Sequence, residues 1–207
     1  VPLIAVATLW LCLAGNLAAE DPLARFEAAL HGWKTLEARF TQEVESPLGR
    51  ESASGIVWVQ QPDRLKWEYL EPEHKIFFLW KNRYEFYLPA DKQLVVQELE
   101  PAEIDETPLV FILGGRKKLD QAYASQLIEQ RDGRSRYLLT ARKAGSLFPR
   151  VLLTLAGDPP FPEELVLHED SGAVHTYRFS SVKINPSLPD RLFEFKPPPG
   201  VEIIRQE

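Results

Sequence analysis

A long succession of period-two runs restricts what this chain can fold into more than any other feature. Residues 64–69 set Leu65, Trp67 and Tyr69 against Lys66 and Glu68. Successive side chains of a strand point to opposite faces, so such a run has one aromatic and one charged face. Runs with strand character recur at 39–44, 55–60, 75–80, 84–88, 93–99, 126–130, 136–141, 150–155, 164–168, 174–182 and 201–204. Turn signals such as Lys81-Asn82, Asp132-Gly133 and Ser171-Gly172 separate several of them. Short runs joined by short polar turns predict an antiparallel meander of about ten to eleven strands.

Helical signals are few. Asp21-Pro22 reads as an N-cap followed by proline at the first helical position, with Leu23, Phe26, Leu30 and Trp33 at helical spacing. That helix is expected to end near Leu36. Thr107-Pro108 repeats the signal ahead of the apolar turn 109–113, which Gly114-Gly115 stops. Another turn is expected within 117–124. The predicted class is therefore mainly β (α+β): one large antiparallel sheet with two or three short helices over a single apolar face. So few helices cover a wide aromatic face thinly and leave room for a hollow, although ordinary core packing explains the same pattern.

Composition bounds the function. The 207 residues carry 24 Lys+Arg and 30 Asp+Glu, a formal charge of -6, which is a poor basis for general nucleic-acid binding. Residues 1–19 contain no charged residue, and the apolar run 3–13 followed by Leu17-Ala18-Ala19 reads as a secretory signal peptide cut near Glu20. The single cysteine, Cys12, follows Leu9-Trp10-Leu11, which fits a lipoprotein signal badly. The expectation is a leader, 1–19, and one exported domain, 20–207, without a thiol.

No nucleotide-binding, hydrolase or zinc-protease motif occurs. His168 and His175 would face each other if Ser171-Gly172 were a two-residue hairpin loop, but a zinc site needs further ligands. Two surface histidines are the better reading. His31 and His74 have no visible catalytic partner. Glu43/Glu45 and Glu163/Glu164 read as solvated charge. Gln42 and Gln61 sit beside apolar strand positions, either as ordinary surface amides or as bonds to a mobile element. No catalytic residue, metal or cofactor is expected.

One ordered set of short motifs is more specific. Phe40-Thr41-Gln42 is followed by Gly55-x-x-Trp58-Val59-x-x-Pro62, Leu65-x-Trp67 and Pro72, then Thr107-Pro108-Leu109, then Phe193-x-Phe195-x-Pro197-Pro198-x-Gly200-Val201. In this order, across residues 22–204, the chain resembles the periplasmic outer-membrane lipoprotein carrier family, LolA. The resemblance implies an unclosed antiparallel β-barrel lidded by helices, whose hollow holds lipoprotein acyl chains. It also implies a monomeric periplasmic shuttle, served by an inner-membrane lipoprotein-releasing ABC transporter and an outer-membrane receptor. Such a carrier catalyses no reaction.

The expected cavity wall is Leu65, Trp67 and Tyr69, with Ile76, Phe78 and Phe86 nearby. The expected lid is Leu109, Val110 and Ile112, with Phe26 and Leu30 on the first helix. Gln61 stands where the family usually has an arginine that latches the lid; Gln61 itself and nearby Arg64 are the latch candidates. Leu109 replaces a usual phenylalanine, and Trp80-Lys81-Asn82 replaces a usual Ser-Asp-Gly turn. Competing classes are an envelope lipid-sensing regulator and a membrane-anchored lipoprotein receptor, both with the same half-barrel, and a secreted hydrolase centred on the histidines.

Overall fold

The computed structural model describes residues 21–99, 112–113 and 119–206. The leader with Cys12, Thr107-Pro108, the lid residues Leu109 and Val110, and Gly114-Gly115 lie outside them.

Helix α1 spans Pro22–Gly32. The Asp21 side chain accepts from the Leu23 amide at 3.5 Å, and proline occupies the first turn. The helix ends four residues before the expected Leu36. Gly32 weakens its last turn, and Trp33 turns to extended geometry and stacks on Phe161, ring centroids 5.5 Å apart. Leu36 instead begins the alternation Leu36, Ala38, Phe40, Gln42, all buried, so the first strand starts earlier than residue 39.

Among the described residues, twelve strands form one sheet. They are β1 (Thr35–Ser46), β2 (Gly49–Gln60), β3 (Arg64–Glu71), β4 (Lys75–Trp80), β5 (Arg83–Leu88), β6 (Gln93–Glu98), β7 (Tyr123–Arg131), β8 (Arg134–Ala141), β9 (Arg150–Ala156), β10 (Phe161–His168), β11 (Val174–Ile184) and β12 (Glu202–Gln206). One helical turn, α2 (Leu119–Ala122), precedes β7. The spatial order is β12-β6-β5-β4-β3-β2-β1-β11-β10-β9-β8-β7. The edge strands β7 and β12 do not pair with each other, so the sheet stays open, as the mainly β, unclosed expectation required. The sheet is antiparallel except for β12, which runs parallel to β6 after the chain returns across the far face.

The sheet is strongly bent. β3 and β11 are separated by β2 and β1, a spacing of about 14 Å in a flat sheet. Yet the ring of Trp67 on β3 lies 5.7 Å from Tyr177 and 6.2 Å from Phe179 on β11. Inward-pointing rings therefore converge on a concave face. This face and α1 share the main core, which includes Phe26, Leu30, Phe40, Val57, Trp67, Ile112, Leu139 and Leu165. A smaller cluster of Ile76, Phe78, Tyr87, Leu94 and Val96 lies on the convex face, under Phe195 and Val201.

Candidate functional site

Register decides which side chains share the concave face. β3 and β4 pair Leu65 with Leu79 and Trp67 with Phe77. β4 and β5 pair Phe77 with Phe86 and Leu79 with Tyr84. Leu65, Trp67, Tyr69 and Phe86 therefore do stand on one face, joined by Phe77, Leu79 and Tyr84. The rings form a chain: Phe40–Trp67 at 4.4 Å, Tyr69–Phe77 at 5.7 Å and Phe77–Phe86 at 4.2 Å. Ile76 and Phe78 do not belong to this wall. They alternate with Phe77 and Leu79 and so point to the convex side, where Phe78 stacks on Phe195 at 5.2 Å. The nearly continuous apolar run 75–80 conceals this parity, because both faces of β4 are covered.

One glycine shapes the floor. A Cβ on Gly55 would overlap the Glu68 carbonyl oxygen and would lie 2.9 Å from the Phe40 ring. The missing side chain lets Phe40 lie across β2 and reach both Trp67 and Tyr69.

Toward one end the face opens into a cavity of about 440 Å³, within the roughly 300–1,000 Å³ of small-molecule sites. Its apolar wall is Val44, Tyr69, Phe77 and Phe86, and its rim carries Glu51, Glu71, Glu73 and Lys75. Gln42 sits at the boundary, buried. Its Nε2 donates to the Tyr177 hydroxyl at 2.8 Å and its Oε1 accepts from the Tyr69 hydroxyl at 2.8 Å. The Gln42 amide is thus committed to the wall of the hollow, not to a mobile element. Burial pushes the Tyr69, Tyr84 and Tyr177 phenols above their usual range, so all three remain neutral.

Helix α1 lies over the concave face and is tied down along its length. At its start the Tyr137 hydroxyl donates to Asp21, and the Leu23 amide donates to Tyr137 at 3.2 Å. Midway, Glu27 accepts from the Leu119 amide at 2.6 Å, linking α1 to α2. At its end Gln61 Nε2 donates to the Leu30 carbonyl at 3.0 Å. The face turned to the sheet is Leu23, Phe26 and Leu30; Ile112, fully buried, joins the same core. Arg64 does not reach α1. It points to the convex side, bonding Gln60 at 3.3 Å and Asp190 at 3.0 Å beside the Trp80 ring.

The histidines form no site. Glu169 N–H bonds the Ala173 carbonyl, so the loop is longer than Ser171-Gly172 alone. β10 and β11 then pair His168 with Val174 and His175 with Leu167. A shift of one residue sends the two imidazoles to opposite faces. His175 Nε2 instead meets Glu169 at 2.6 Å. Among the described residues no group of three potential metal ligands occurs.

An open sheet with a continuous aromatic floor, and a helix fastened across it by side-chain bonds, defines a half-barrel that can hold an elongated apolar ligand. The comparisons agree with that class. Residues 31–196 match the family model described as outer membrane lipoprotein carrier protein LolA. The outer-membrane lipoprotein carrier protein of Bordetella avium is 30% identical over 207 residues, covering 98% of this chain and 96% of its own. That of Alkalilimnicola ehrlichii is 28% identical over 194 residues, covering 93% and 86%. A conserved protein from Thermus thermophilus, itself uncharacterized, shares the fold with a TM-score of 0.58 at 16% identity, over 91% of this chain and 99% of its own. The chain belongs to the LolA family.

Proposed function

We propose that this protein is a periplasmic carrier that holds lipoprotein acyl chains in the concave hollow and moves them from the inner to the outer membrane. The observation that carries the reading is the contiguous concave surface of Leu65, Trp67, Phe77, Leu79, Tyr84 and Phe86, ending in the 440 Å³ cavity. Each methylene removed from water gains about 0.8 kcal/mol, so acyl chains cross an aqueous compartment only inside such a surface.

Release needs a counterweight. α1 supplies it in this account: Phe26 and Leu30 cover the floor when the hollow is empty, and Gln61 holds the helix end by one amide bond. Cargo competes with the helix for the same apolar face, so closing the lid offsets part of the cost of unloading. Gln61 thus acts as the latch. An amide donates fewer bonds than a guanidinium and carries no charge, so this latch is a weak one.

The partners on this reading are lipoproteins, an inner-membrane lipoprotein-releasing ABC transporter as donor and an outer-membrane receptor as acceptor. The carrier works as a monomer without cofactor or catalysis, after removal of a leader over residues 1–19. The test is incubation with inner membranes that contain lipoproteins and the releasing transporter, followed by native mass spectrometry. A one-to-one complex with a triacylated protein is expected; recovery of the carrier alone under every condition refutes the reading.

A further inference from the structure

Among the described residues two buried side-chain polar atoms lack a hydrogen-bond partner, and one of them stands on the concave face. The Gln42 amide joins Tyr69 and Tyr177. Trp67 is 5% exposed, and its indole Nε1 is buried without a hydrogen-bond partner. Tyr69 lies alongside, ring centroids 6.5 Å apart. The indole N–H lies near the Tyr69 hydroxyl and partly offsets the upward push of burial on that phenol, without closing to a hydrogen bond.

A buried N–H left unpaired is costly, and native proteins retain few. Phenylalanine would supply the same contacts to Phe40 and Phe179 without that cost. Among the described residues the other such atom is Arg136 Nε, outside the hollow in a groove where four arginines face four carboxylates. A guanidinium also has further N–H groups to bond with. Trp67 has a single donor, and its ring packs among Phe40, Tyr69, Tyr177 and Phe179 on the concave face, two residues along β3 from Tyr69 at the cavity wall.

We propose that the Trp67 indole N–H is a specificity determinant that donates to an ester or amide carbonyl at the head of the bound acyl chains. Hydrocarbon tails offer no acceptor; the glyceryl esters and N-terminal amide of an acylated cysteine do. No protein group pairs the donor, and a carbonyl-bearing cargo satisfies it. Loading by such lipids is therefore favoured over loading by tails alone. The Gln42–Tyr69–Tyr177 cluster holds its own polar atoms together and does not compete for the carbonyl. The inference rests on the acyl-chain reading of the hollow.

The test compares two probes of equal chain length, a diacylglycerol and the corresponding di-O-alkylglycerol, which lacks only the carbonyls. Affinities are measured by displacement of a fluorescent fatty acid from the purified protein and from Trp67→Phe. The wild-type protein should bind the ester about five- to tenfold more tightly, the worth of one ordinary hydrogen bond. In Trp67→Phe the two affinities should become equal. In the wild-type protein, the ¹H–¹⁵N indole resonance of Trp67 should move downfield with the ester and not with the ether. That spectrum decides the matter even if Trp67→Phe fails to fold. Equal wild-type affinities, a preference that survives in Trp67→Phe, or an indole resonance that moves alike with both probes overturns the inference alone. Failure of both probes to bind overturns the acyl-chain reading along with it.

Discussion

Gly55 joins backbone packing to the shape of the hollow. Strand β3 carries one extra residue opposite the Ser54–Gly55 step, and this irregularity brings the Glu68 carbonyl against the glycine. The same empty position receives the edge of Phe40. Gly55→Ala would press a methyl group into both neighbours, one of them backbone. Overpacking of this kind costs about 1–3 kcal/mol. We expect the urea midpoint of Gly55→Ala to fall accordingly, and an unchanged midpoint would remove this explanation of the glycine.

Single residues also show how far the sequence carries the site. Leu65, Trp67 and Tyr69 are readable because charged residues alternate with them, which fixes their parity. Phe77 and Leu79 are hidden in a run with no polar alternation; only pairing with β3 reveals that they, and not Ile76 and Phe78, face inward. The indole of Trp67 looks like any core aromatic until every neighbouring acceptor is located. Gln42 is visible as a polar residue among apolar ones, but its two tyrosine partners lie 27 and 135 residues away, and no local pattern brings them together.

At the scale of elements, α1 behaves as a strap: besides the exposed Arg25–Asp158 ion pair, three sets of hydrogen bonds fasten it. Tyr137 and Asp21 hold its start, Glu27 its middle, and the Gln61 amide its end. Gln61→Leu removes the last bond and leaves the Leu30 carbonyl bonded only to the Trp33 amide. A neutral hydrogen bond is worth about 1 kcal/mol net, or roughly a fivefold change in local opening. Amide exchange in the final turn of α1 should accelerate by about that factor, with the β1–β3 amides unaffected; equal exchange in both proteins would move the latch elsewhere. The helix start was legible from Asp21-Pro22. Its end was not, because Leu36 continues the helical spacing while opening the strand alternation. The first half of β2 was likewise invisible: residues 49–52 are exposed and keep no apolar rhythm, and pairing with β1 alone makes them strand.

Across the whole molecule, one sheet has two unlike faces. The convex face is sealed locally by the returning C-terminal segment, with Phe195 and Val201 over Ile76, Phe78 and Tyr87. The concave face is covered by a helix that is held by side-chain hydrogen bonds and is short for so wide a sheet. Among the described residues, a sheet sealed on one side and strapped on the other by α1 has a cover that can be lifted from one face only, which suits a carrier that loads and unloads. Strand succession and the aromatic face were written in alternation and turns. The parallel pairing of β12 with β6 was not, since it depends on where the chain returns after Pro199-Gly200.

A carrier built this way holds its cargo on the concave face. The most direct measurement is lipoprotein extraction from inner membranes, quantified by native mass spectrometry, for Phe86→Asp and Trp80→Asp. Phe86 lines the hollow, whereas Trp80 is half-exposed on the opposite face. A carboxylate in the hollow must stay hydrated or be paid for on loading. At least a tenfold loss of the one-to-one complex is expected for Phe86→Asp, and wild-type yield for Trp80→Asp. Equal yields from the two variants would contradict cargo binding on the concave face.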